Sequence, residues 1–249
     1  MTHGAFCGGW AFEAFRKPFE AAGHRVLTPD LRGHGASDPG GAVVGVSMSD
    51  YARDLAELCA LQDQPPILVG HSLGGLVAAM AARRGRVRAL VLLAPSAPWG
   101  VSGSSMEEAI TAFGIHMLGP FWAQGVAPDR GLMRTYSLDR MPKDAREAVI
   151  ERLRPESGRA LWETLNWWLD PFMTTSLGFG APQIPCLVFG GERDLVSPAA
   201  TVRQTAARLD GVYREMPGMS HWLLGEEGWE DVATQALDWI TDKVSPLPA

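Results

Sequence analysis

The sequence predicts an α/β fold: a mostly parallel sheet flanked by helices, with a helical segment inserted between two of its strands. Three observations carry this expectation. Short continuous apolar runs at Ile67 to Val69, Val87 to Leu93 and Ile184 to Gly190 alternate with helical stretches, as strands buried on both faces do. The stretch Gly70-His71-Ser72-Leu73-Gly74-Gly75 joins the first run to the helix formers Leu76 to Ala82, which puts a serine on a tight strand-to-helix turn. From about Ser96 to Ala181 the strands vanish and helical, aromatic and Met-rich spacing replaces them.

Taken in order, His3-Gly4-Ala5-Phe6-Cys7-Gly8-Gly9-Trp10 is a glycine-rich loop ahead of a helix expected from about Ala11 to Ala22. Its glycines let backbone N–H groups face a ligand, so Ala5 or Phe6 could donate one hydrogen bond to an oxyanion while Leu73 donates another. Without Ser72 the same loop would read as an ordinary turn. A short strand is expected at Arg25 to Thr28, then the loop Pro29 to Asp38. Its charged residues are expected to brace it by hydrogen bonds and an ion pair, in preference to catalytic work by Asp30, Asp38 or His34. A helix from about Met48 to Leu61 follows, with Ser47 or Ser49 as N-cap and Leu55, Leu58 and Leu61 on the buried stripe.

The turn at Ser72 must be very tight, and Gly70 and Gly74 remove side chains that would collide where the residues two before and two after the serine approach. The serine's own backbone is thereby strained, and its hydroxyl stands at a helix N-terminus that favours negative charge.

In the inserted segment, helical spacing is visible at Met106 to Leu118, Lys143 to Leu153 and Gly158 to Leu169, among Trp99, Trp122, Trp162, Trp167 and Trp168. The chain therefore divides into a core, residues 1–95 and 182–249, and a cap, residues 96–181. Most cap aromatics are expected to pack it onto the sheet. Met117, Phe121, Trp122 and Trp168, with Leu195 and Trp222 from the core, would line an apolar pocket wherever they face the serine. After the cap come the strand to Gly190, the loop Gly191-Glu192-Arg193-Asp194, and a helix from Pro198 to about Leu209. A strand near Val212 to Met216, the loop Pro217 to Trp222 and a helix from about Trp229 to Val244 complete the chain.

With 249 residues and a formal charge of -6, the chain offers no electrostatic case for a nucleic-acid partner. No apolar run is long enough to span a membrane, and the N-terminus lacks the features of a signal peptide. Three scattered cysteines, Cys7, Cys59 and Cys186, make neither a disulfide framework nor a zinc site, so a reducing cytoplasm is expected. The histidines are dispersed and the glycine loops match no dinucleotide fingerprint; neither a metal nor an organic cofactor is expected.

A serine hydroxyl is a poor nucleophile at neutral pH and needs a base within hydrogen-bond reach, a task suited to an imidazole. His221, beyond the last strand, is placed for it. The imidazole needs a carboxylate to fix its tautomer and stabilise its cation, and Asp194 is the choice. Glu192 is still leaving its strand, and Ala94 to Ala97 carries no carboxylate.

These residues together resemble the α/β-hydrolase fold superfamily, in particular serine esterase-like members with a helical cap. The carriers are His3-Gly4 with Gly8-Gly9-Trp10, the loop Asp30 to Asp38, Gly70 to Gly75, Gly190 to Asp194, and Gly218 to His221. The opening is similar to the plant methyl esterase and hydroxynitrile lyase branch, and bacterial esterases share it. The resemblance implies a serine hydrolase that cleaves a small to medium apolar carboxylic ester, thioester or lactone through an acyl-enzyme. Ser72 would be its nucleophile, His221 its base and acid, Asp194 the orienting group, and Ala5 and Leu73 the oxyanion donors. Carbon–carbon bond hydrolysis or a perhydrolase reaction would use the same triad, and a ligand receptor on this fold would need no reactive serine.

One departure stands out. The family has a strand ahead of its His-Gly loop, inside the sheet, whereas only Met1 and Thr2 precede His3. Either the protein starts upstream or the sheet lacks an inner strand, leaving backbone groups unpaired at about 1 to 3 kcal/mol each.

Overall fold

The computed structural model describes residues 1–37, 43–103, 121–178 and 184–244. Its main sheet contains β1 (Ile67–His71), β2 (Ala89–Leu93), β5 (Cys186–Gly191) and β6 (Val212–Met216), in the order β1-β2-β5-β6 and all parallel. Parallel pairing needs a crossover between neighbours, and a helix supplies it where α3 (Leu73–Ala82) joins β1 to β2 and where α6 (Ala199–Arg208) joins β5 to β6.

The apolar runs are continuous because both faces of the sheet are covered. Leu68, Leu90, Leu92 and Val188 pack on one face with α3 and with α2 (Met48–Ala60). Val69, Val91, Leu93, Leu187 and Phe189 pack on the other with Phe12, Phe15, Phe19 and the apolar stripe of α7 (Trp229–Lys243). Adjacent residues thus face opposite cores, each too hydrophobic to alternate with polar side chains. Among the described residues, no helix is long and apolar enough to cross a membrane.

Three local expectations are corrected, and the choice of N-cap for α2 is resolved. The helix expected from Ala11 is broken into a 3-10 turn at Gly9–Phe12 and α1 (Arg16–Ala21). Pro18 has no N–H to continue a helix from upstream but is tolerated in the first turn of a new one. Ser47, not Ser49, caps α2: it accepts from Ser49 N and forms a capping box with Asp50. The buried stripe of α2 is Met48, Tyr51, Ala52, Leu55 and Cys59, and Leu61, past the helix end, is 79% exposed. Arg25 to Thr28 forms no strand.

That last difference follows from what lies beyond β1. Thr2 donates to the Val69 carbonyl at 2.8 Å and accepts from His71 N at 3.1 Å, a single parallel bridge, while the Met1 amine donates to the Leu27 carbonyl at 2.6 Å. Further along β1, the space is a cavity of about 390 Å³ bordered by Val26, Leu27, Leu55 and Ile67. Residues 25–28 therefore have no continuous neighbour with which to form a ladder.

Between β2 and β5, α4 (Lys143–Arg152) and α5 (Gly158–Leu165) match two expected helices, the second ending in a 3-10 turn at Trp167–Leu169. The expected helix Met106 to Leu118 lies outside the described residues. Two short antiparallel strands, β3 (Gly125–Val126) and β4 (Glu156–Ser157), were not anticipated; two-residue strands carry no periodicity.

Candidate active site

Ser72 sits between β1 and α3 with φ 52° and ψ −125°, a strained conformation for a residue with a side chain. The close packing around it shows why glycines flank it. A Cβ on Gly70 would lie 2.5 Å from the Gly74 carbonyl oxygen and 2.7 Å from Gly75 Cα; one on Gly74 would overlap the carbonyl oxygens of Thr2 and His3. Gly70 therefore clears the turn itself, as expected, whereas Gly74 clears the chain entering the His-Gly loop. Ser72 N donates to the Leu93 carbonyl at 2.9 Å, tying the turn to the end of β2.

Three side chains from three strand ends meet here. The Ser72 hydroxyl lies 3.0 Å from His221 Nε2, and His221 Nδ1 lies 2.8 Å from Asp194 Oδ2. With Nδ1 donating to the carboxylate, Nε2 is left to accept the serine proton. The other Asp194 oxygen accepts from Val196 N and Ser197 N, both at 2.8 Å, so the carboxylate cannot turn away. Glu192 points elsewhere and accepts from Gly218 N at 2.7 Å.

The loops carrying Asp194 and His221 are joined by Arg193 N donating to the Met219 carbonyl and Glu192 N donating to that of Met216. His71 adds a brace. Its Nε2 donates to the His221 carbonyl at 2.9 Å, and burial lowers its pKa to about 3, so the ring is neutral.

Glu226 is buried behind the same loop and accepts from Ser220 N at 2.9 Å, and the Ser220 hydroxyl donates to Asp139 at 2.7 Å. Burial pushes the Glu226 carboxyl from 4.5 up to about 7, against the pull of the Ser220 N–H. An acid whose pKa is raised on folding contributes stability that is full below its unfolded value and lost as pH rises through the folded one. Glu226→Gln cannot ionise. We expect the loss of stability from pH 5 to pH 8, measured by urea unfolding, to shrink by about 1 to 3 kcal/mol in this variant.

The His-Gly loop lies against the serine: a Cβ on Gly4 would be 3.0 Å from Ser72 Cβ. His3 fixes the loop, donating from Nδ1 to the Gly4 carbonyl and accepting from Leu31 N at Nε2, both at 2.9 Å. Asp30 accepts from Gly9 N at 2.7 Å and Ala36 N at 2.8 Å, and Arg32 pairs with Asp54, the bracing expected of this loop. Among the described residues, neither the Ala5 nor the Leu73 N–H has a protein acceptor. Phe6 is corrected as an oxyanion donor, because its N–H is directed to Glu156 Oε2 at 3.3 Å.

The expected pocket is only partly traced. Met117 and the side chain of Phe121 lie outside the described residues. Trp122 and Trp168 are 48% and 59% exposed. Leu195 is half-buried beside Asp194, and Trp222 is buried edge-on to His71 with ring centroids 5.3 Å apart. The cavity beside β1 is lined by none of Ser72, Asp194 and His221.

Sequence reasoning did not single out Glu156, Tyr51 or Glu226. Each is a buried polar group whose partners lie on other elements, and a lone Glu or Tyr in sequence carries no mark of that.

The alpha/beta hydrolase family profile matches residues 1–235. Over 75 residues, 30% of this chain and 26% of that protein, the sequence is 43% identical to the pyrethroid hydrolase of Sphingobium wenxiniae. Over 109 residues, 42% of each chain, it is 37% identical to salicylic acid-binding protein 2 of Nicotiana tabacum. These stretches span less than half the length of either relative. The crystal structure of a pyrethroid hydrolase from Sphingobium faniae is similar over 96% of this chain and 94% of that one, with a TM-score of 0.69 and 25% identity. A family match over almost the whole length, on a parallel sheet with Ser72 at the turn after β1, establishes that the chain belongs to the alpha/beta hydrolase family.

Proposed function

We propose that this protein is a serine hydrolase that cleaves small to medium apolar carboxylic esters through an acyl-enzyme on Ser72. The observation that carries the reading is the unbroken hydrogen-bonded chain from Ser72 through His221 to Asp194. His221 takes the Ser72 proton at Nε2 as the oxygen attacks the acyl carbon, and Asp194 stabilises the resulting imidazolium. The negative charge moves to the former carbonyl oxygen, where the Ala5 and Leu73 N–H groups and the N-terminus of α3 receive it. His221 then protonates the departing alkoxide. Water, deprotonated by the same ring, attacks the acyl-enzyme and releases the acid, restoring Ser72.

Residues 96–181 serve as a cap over this site and the remainder as the core. An apolar substrate is supported by the aromatic content of the cap and by relatives named pyrethroid hydrolases. Three buried free cysteines are consistent with a reducing cytoplasm.

The test is a series of nitrophenyl esters of increasing acyl length with the purified protein. Expected is a nitrophenolate burst matching the enzyme concentration, then steady turnover that peaks at a short to medium chain. Hydrolysis at the buffer rate across the whole series would overturn the reading.

A further inference from the structure

Phe6 is strained and held from one side. Its φ of 66° lies in the left-handed region that favours glycine, yet it sits next to Ala5 in the loop against the nucleophile. Both of its backbone polar groups are bound by one segment of the inserted region. Its carbonyl accepts from Arg154 N at 2.9 Å, and its N–H donates to Glu156 Oε2 at 3.3 Å. Two residues earlier, the Arg152 guanidinium stacks 4.4 Å from the Trp10 ring and pairs with Glu13, so the same segment grips the loop at its middle and at its far end.

Glu156 is fully buried and fully engaged. Its Oε1 accepts from the Tyr51 hydroxyl at 2.6 Å and Ser157 N at 2.7 Å, and its Oε2 faces the His34 ring at 3.3 Å. Burial opposes charge on both partners, but each outweighs it for the other: the Glu156 carboxyl is held below its usual range and His34 is raised above its own. The two shifts run in the directions that favour an ion pair between Glu156 and His34. A counter-group matters for the chemistry nearby, because an uncompensated carboxylate near a developing oxyanion would repel it, and the His34 ring is the group that faces Glu156.

We infer that Glu156, fixed by Tyr51 and His34, is a positioning residue of the oxyanion loop: it draws the Phe6 N–H away from the site, holds Phe6 in its strained conformation, and so leaves the Ala5 N–H to meet the substrate oxygen. The segment Arg152 to Glu156 links placement of the inserted region to completion of the oxyanion site. This inference rests on the serine hydrolase reading above.

The test compares two ketones on the full chain. An aryl trifluoromethyl ketone accepts the Ser72 oxygen at its carbonyl carbon, the π electrons moving to oxygen and the serine proton to His221; the matched methyl ketone binds without adding. Glu156→Leu removes the acceptor at similar volume, and Glu156→Gln retains one acceptor oxygen. The Leu variant is expected to lose about tenfold or more in kcat and in trifluoromethyl ketone affinity, less than loss of a whole donor costs, with KM and methyl ketone affinity within about twofold. Gln recovers part of that loss, and Tyr51→Phe, which spares the Phe6 bond, shows a smaller loss of the same kind. If the Leu variant does not fold, the Gln variant decides. Unchanged kcat and unchanged ketone selectivity in folded variants, or parallel losses for both ketones, would overturn the inference alone. A native protein that forms no adduct with the trifluoromethyl ketone would overturn the hydrolase reading with it.

Discussion

Ser72→Ala is expected to lower kcat/KM for a nitrophenyl ester by at least about 10⁴-fold while leaving the fold intact. Only the hydroxyl is removed, and among the described residues it is bonded to His221. The interactions that build the turn are backbone ones, Ser72 N to the Leu93 carbonyl and Gly75 N and Ser96 N to the Ser72 carbonyl, and alanine keeps them. Alanine also bears the φ of 52° at a cost close to that of serine, since both carry a Cβ. A thermal melt within a few degrees of the native one, with turnover lost, separates chemistry from folding. Turnover above about one per cent of native would reject Ser72 as the nucleophile.

Asp194→Asn is expected to be nearly as severe, about 10³ to 10⁴-fold in kcat, for a different reason. The asparagine oxygen can still accept from Val196 N and Ser197 N, so the loop is retained. Its NH₂ then faces His221 Nδ1, which must accept instead of donate. The ring proton moves to Nε2 and points at the Ser72 oxygen, where a base is required. Glu192→Gln, which among the described residues alters the hydrogen bond to Gly218, is expected to stay within about threefold of native activity. Steady-state kinetics of the two variants side by side check the assignment, and the reverse ranking would move the acid to Glu192.

What the sequence made legible were features written in local spacing. The strands β1, β2 and β5 announce themselves as continuous apolar runs because both sheet faces are covered, whereas the edge strand β6, Val-Tyr-Arg-Glu-Met, is largely uncovered and shows no such run. Ser72 and Asp194 stand just past two of those runs and His221 past β6, and strand ends in such sheets share one edge. Asp194 could be preferred to Glu192 from position alone.

Features set by distant contacts were hidden. Gly74 is needed because the backbone of Thr2 and His3 passes over it, a crossing absent from the local pattern. Phe6 and Ala5 could not be separated as donors until Glu156, 150 residues away, was seen to bind the Phe6 N–H. Leu61 looked as suited to the core as Leu55, yet the α2 stripe follows Met48, Tyr51, Leu55 and Cys59 with Leu58 half-buried at its side, and Leu61 falls beyond the last turn. At Arg25 to Thr28 the local composition favours a strand, and the missing neighbour decides against it.

The central claim is that the Ser72 oxygen is the attacking atom, and covalent labelling addresses it without knowledge of the substrate. Treatment with a fluorophosphonate followed by peptide mass mapping should yield one stoichiometric adduct on Ser72, absent in Ser72→Ala and formed much more slowly in Asp194→Asn. Failure of the native protein to label, or a stoichiometric adduct on another serine with Ser72 unmodified, would contradict the account.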